Sequence, residues 1–96
     1  MYPIEEMIAW EAAMADMISA EQQTLLKYKL MVRDLLLRRD VFLQQEEHDE
    51  TALRELDEAL AFIEILIEKK QIAIQHKHEQ VEHFYSEWRE SAVQNI

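Results

Sequence analysis

The chain has 96 residues, 49% of them apolar, with 20 acids against 10 bases, one proline, and neither glycine nor cysteine. Without cysteine it has no disulfide, thiolate metal site, iron–sulfur cluster or thiol nucleophile. Without glycine it lacks the phosphate-cradling loops that need positive φ or close backbone approach, which disfavours nucleotide chemistry.

The elements follow from what does and does not punctuate the chain. Ala, Leu, Glu, Gln, Met, Lys and Arg dominate, which specifies an all-α fold class. Pro3 suits a first helical turn, and Glu5 and Glu6 then stand where the helix dipole favours negative charge. The first helix is expected over residues 3–46. Ser19, with Gln22 three residues on, matches a capping box, so a three-helix bundle with a break near Ser19 is the alternative. The polar run over 45–51 predicts a turn at about 47–51, with Asp49 or Thr51 capping a second helix over 52–94. Residues 1–96 thus read as a single α-helical domain, a long coiled-coil-like antiparallel hairpin.

Both halves carry heptad stripes that match when the chain is folded about residue 49. The first half offers Ile4, Glu11, Ile18, Leu25, Val32, Arg39 and Met7, Met14, Glu21, Tyr28, Leu35, Phe42. The second offers Leu60, Ile67, Ile74, Val81, Trp88 and Leu56, Ile63, Lys70, Lys77, Phe84. Folding sets Phe42 against Leu56, Leu35 against Ile63, Leu25 against Ile74, Ile18 against Val81 and Met14 against Phe84. It also sets Glu21 opposite Lys77, and an acid meeting a base inside an apolar seam penalises slipped registers. The pair is read as a register device.

Apolar residues continue beyond the seam: Leu26, Leu30, Leu37 and Val41 in the first half, and Phe62, Ile65, Leu66 and Ile72 in the second. A lone hairpin leaves this girdle in water, and a contiguous apolar patch marks a binding surface. A second copy is the expected cover, giving a homodimeric four-helix bundle through Leu26, Leu30, Leu37, Phe62, Ile65 and Ile72. The open end collects Met1, Tyr2, Met7, Trp10, Met14 and Met17 with Phe84, Tyr85 and Trp88. Adaptable methionine beside rigid aromatics suits partner binding, which makes Trp10, Tyr85 and Trp88 candidate partner contacts, although the same spacing also serves to seal the mouth.

Charge is distributed unevenly: residues 1–26 hold five acids and no base, 27–45 five bases and two acids, 46–68 nine acids and one base. This acidity disfavours nucleic acid and anionic membrane as partners. The bases Lys27, Lys29, Arg33, Arg38 and Arg39 are expected to pair with acids such as Asp34, Asp40 and Glu64. The most apolar run, 59–67, is interrupted by Glu64 and is too short for a membrane span. No base precedes Lys27, so a secretory signal is not expected, and a cytoplasmic location is.

Ligand chemistry is confined to His76, His78, Glu79, Glu82 and His83. On a helix, His76, Glu79 and His83 share a face and offer nitrogen and oxygen ligands to zinc or another divalent metal. Neither HExxH nor the Glu-x-x-His pattern of di-iron bundles occurs, and a solvated polar stripe is the first reading of the cluster, with a metal site as the alternative. No cofactor is expected. Ser19, Ser86 and Ser91 lack a base-and-acid setting, so no enzyme is expected either. The sequence therefore predicts an acidic helical module that binds another protein, as adaptor, assembly factor, chaperone or inhibitor. A metal-binding bundle and an acidic mimic of nucleic acid are its alternatives.

Overall fold

The computed structural model describes residues 3–94, and the side chains of residues 3–90. The chain is all-helical in this range: α1 spans Ile4–Leu43 and α2 spans Glu50–Gln94, joined by residues 44–49 as a helical hairpin. No helix among the described residues is long and apolar enough to cross a membrane.

The expected alternative break near Ser19 is absent, because α1 runs through it. Capping at Ser19 requires a non-helical backbone there, which would rotate either the buried Ile18 or the half-buried Glu21 away from the second helix. Burial of the stripe prevails over the local capping signal. At its start, α1 rests on Pro3, whose carbonyl accepts the Met7 N–H at 3.1 Å.

The first helix ends at Leu43, three residues before the expected 46. The Gln44 N–H is shared between the carbonyls of Asp40 and Val41, each at 3.2 Å, and Gln45 donates to Phe42 at 3.3 Å. This tightening of the last turn satisfies carbonyls that a helix end leaves open. No described residue has positive φ, so the chain leaves α1 without the left-handed cap that glycine usually supplies. The second helix begins at Glu50, ahead of the expected 52, because Asp49 rather than Thr51 is its cap. Asp49 Oδ1 accepts the Thr51 N–H at 2.9 Å, and its carbonyl accepts the Leu53 N–H at 3.1 Å. Asp49→Ala is expected to cost about 1 kcal/mol in thermal or urea unfolding, with Asp49→Asn close to wild type because it retains the acceptor. An equal loss in both variants would show that the charge matters and the cap does not.

Packing divides the chain into two units, each drawing on both helices. The turn unit is Gln23–Gln71, and the terminal unit comprises the described residues of Met1–Gln22 and Ile72–Ile96. In the turn unit Leu60 and Ile63 are buried, and Leu25, Tyr28, Val32, Leu35, Phe42, Leu56, Ile67 and Lys70 are half-buried. In the terminal unit Met7, Ile18 and Ile74 are buried, with Met14, Glu21, Lys77, Val81 and Phe84 half-buried around them. These are the heptad stripes of the sequence. The stripes stop short at their outer ends, where Ile4, Glu11 and Trp88 are exposed. A further column that the sequence reading did not separate, Ala52, Ala59 and Leu66 in the turn unit, is half-buried beside the seam. Five buried apolar side chains among the described residues make a thin core, and none of the described residues is fully enclosed. Two helices alone bury only one stripe of each, which leaves a small domain short of apolar burial.

Candidate functional site

The terminal unit is organised around Phe84. Its ring lies 4.1 Å from that of Trp10, centroid to centroid, tilted by 31°. Tyr85 and Trp88 continue the aromatic series at 6.2 Å and 6.5 Å spacings. The sequence pairing set Met14 against Phe84 and did not anticipate Trp10 there. A large indole one turn away takes the aromatic face because tilted ring pairs add roughly 0.5 to 1.5 kcal/mol beyond area burial. Of the candidate partner contacts, Trp10 and Tyr85 are half-buried and Trp88 is exposed. Met1 and Tyr2, also expected at this end, lie outside the described residues.

Phe84 lines two cavities. The larger, of about 400 Å³, is lined by Glu6, Met7, Trp10, Gln80, His83, Phe84 and Glu87. The smaller, of about 160 Å³, is lined by Ile4, Met7, Ile8, Glu11, Phe84, Tyr85 and Trp88. At its edge the Tyr85 hydroxyl donates to the Glu11 carboxylate. That hydrogen bond, then partial desolvation, then the negative charge of Glu11 raise the Tyr85 phenol above its ordinary pKa.

Deeper in the same unit, Lys77 Nζ donates to Glu21 Oε1 at 2.7 Å, and the two side chains are 18% and 22% exposed. This is the acid–base pair that folding about residue 49 sets opposite. Together with Glu11 and Tyr85 it shows the two helical stretches running antiparallel.

The candidate metal ligands do not come together. His83 Nε2 lies 3.0 Å from Glu87 one turn further along its own helix. Glu79 likewise accepts from Gln75 at 3.3 Å. Among the described residues, His76, Glu79 and His83 form no group of three ligands that could hold an ion. The physical reason is that neighbours along an exposed helix face engage one another in pairs, whereas a coordination sphere needs ligands from a second element.

In the turn unit the ring of His48 covers Phe42, with centroids 5.5 Å apart, and its Nδ1 lies 3.5 Å from the Gln45 carbonyl. Arg38 pairs with Asp34 at 3.0 Å, as expected for residues four apart. Arg39 reaches across to Asp57 at 2.8 Å, an acid the sequence reading did not anticipate for it.

The outer surface of this unit carries large apolar side chains among its charged ones. Leu26, Leu30, Leu37, Phe62 and Ile65 are all at least half exposed, and so, in the terminal unit, is Ile72. Leu66, which the sequence placed in the same girdle, is instead half-buried. Val41, placed in the girdle as well, is exposed, and Met31 and Leu36 extend the exposed surface. The signal that reveals Met31 and Leu36 is that the apolar residues of α1 between Leu25 and Leu43 spread well beyond the one stripe that a single partner helix covers. Beside this surface, Leu37, Arg38, Val41, Phe42 and Gln45 line a shallow groove of about 310 Å³.

Comparison of the chain with protein-family models, with curated proteins and with solved structures finds no match in any of the three.

Proposed function

We propose that the chain is a cytoplasmic protein-interaction module that acts by docking rather than by catalysis, with a second copy of itself as the first partner. The observation that carries this reading is the exposed girdle of Leu26, Leu30, Leu37, Phe62 and Ile65 on a unit with only Leu60 and Ile63 buried beneath it. Apolar surface of this kind is favourable to remove from water, at about 25 cal/mol per Å², and a thin core makes the gain decisive.

Two copies that meet through this girdle make a closed four-helix bundle. The assembled bundle then serves another protein as adaptor, assembly factor, chaperone or inhibitor.

Light scattering coupled to size exclusion tests the proposal on wild type, Leu30→Glu and Phe62→Glu. The wild type is expected at twice the chain mass of 11.5 kDa, and both variants at the chain mass with their helical content retained. A wild type at the single-chain mass, or a dimer that survives both substitutions, overturns self-association through the girdle.

A further inference from the structure

We infer that the larger cavity of the terminal unit is a receptor site for a basic segment of a partner protein, one that presents a lysine or arginine beside an apolar residue. This goes beyond the girdle and does not depend on dimerisation, since every residue involved belongs to the terminal unit.

The cavity, at about 400 Å³, combines two chemistries. Apolar Met7, Trp10 and Phe84 line it together with the acids Glu6 and Glu87. An occupant must therefore be apolar along its length and positive at its tip, which is the anatomy of lysine and arginine. Ring faces of tryptophan and phenylalanine attract such a cation in addition, by about 0.5 to 2 kcal/mol. The volume is within the range of about 300 to 1,000 Å³ of formed ligand sites.

The electrostatic setting selects the same sign. The terminal unit carries nine acids against two bases, Lys77 and Arg89, whereas the turn unit carries eleven against eight. Lys77 is already held by Glu21 at 2.7 Å. On its α1 side the unit has Glu5, Glu6, Glu11, Asp16 and Glu21 and no base at all. Such a field draws a cationic segment towards the cavity and repels an anionic one. His83 also lines the cavity, and its Nε2 lies 3.0 Å from Glu87, which holds that carboxylate in place.

The test uses the full chain with Trp88→Phe, which leaves Trp10 as the one indole. The probe is a 14-residue peptide of leucine and lysine, compared with a twin in which glutamate replaces every lysine. Saturable change in Trp10 emission is expected with the lysine peptide and not with its twin. Glu6→Gln with Glu87→Gln is expected to weaken binding at least tenfold. Glu46→Gln with Glu47→Gln, which removes the same charge from the interhelical connection, is expected to leave it unchanged. Equal weakening by both pairs would reduce the effect to net charge and overturn the site. So would equal binding of the twin, or no binding of the lysine peptide. Binding that is lost in Leu30→Glu yet survives the Glu6/Glu87 pair would place the peptide on the girdle, which overturns this inference and leaves the girdle proposal standing.

Discussion

Ile63→Ala is expected to lower the unfolding free energy by about 2 to 5 kcal/mol, the largest single-site loss in the turn unit. Ile63 is only 6% exposed and shares with Leu60 the whole of that unit's buried core. Truncation removes three carbon atoms from the seam and leaves a void that two helices with few other contacts close poorly. Ile65→Ala, two residues on, is the informative comparison, because Ile65 is 50% exposed. In an isolated chain its truncation should cost at most about 0.5 kcal/mol. If a second copy covers the girdle, the cost of Ile65→Ala rises and depends on protein concentration, because association and folding are then linked. Urea unfolding of both variants at two protein concentrations separates these outcomes. Equal losses for Ile63→Ala and Ile65→Ala at low concentration would contradict the seam described above.

Reversing one member of the Glu21–Lys77 pair is expected to cost about 2 to 3 kcal/mol, between the ~0 to 1 kcal/mol of exposed ion pairs and the ~3 to 5 kcal/mol of buried ones. The intermediate value follows from side chains that are 18% and 22% exposed, too enclosed for full hydration and too open for full desolvation. Lys77→Glu brings two carboxylates together at this point, and Glu21→Lys brings two ammonium groups together. The double reversal restores attraction and should recover at least about 1 kcal/mol relative to the sum of the single losses. Strict additivity would mean that the pair contributes nothing. A recovered double variant whose Trp10 emission is unchanged would further support a role in register, since a slipped pairing moves Trp10 off Phe84.

The girdle was legible because period and composition identify apolar positions without reference to a partner helix: Leu30 and Leu37 repeat every seven residues on a face that a lone hairpin leaves in water. The terminal cavity was not. Trp10 and Phe84 were visible as aromatics at one end, yet periodicity assigns each residue a face and leaves its axial reach undetermined. That Trp10 stacks on Phe84 depends on side-chain length, rotamer and the local offset between helices. The helical repeat of 3.6 residues also drifts against a seven-residue pattern. The same argument applies to the histidines. Spacing set His76, Glu79 and His83 on one face, but a ligand set is a statement about distances, and His83 turns to Glu87 instead.

By itself the sequence determined the helical class, the two long helices, the seam between them and the meeting of Glu21 with Lys77, because each rests on local propensity or on a periodic pattern that only one folding point satisfies. It left open where α1 stops, whether Asp49 or Thr51 caps α2, which acid receives Arg39, and where a cavity forms. Those were decided by tertiary structure. Burial of Ile18 and Glu21 kept α1 intact through Ser19, the packing of His48 on Phe42 accompanied its early end, and the stacking of Trp10 on Phe84 shaped the space beside Glu6 and Glu87. Energies that depend on which side chains from two different helices come within a few ångströms of one another are absent from any one-dimensional pattern.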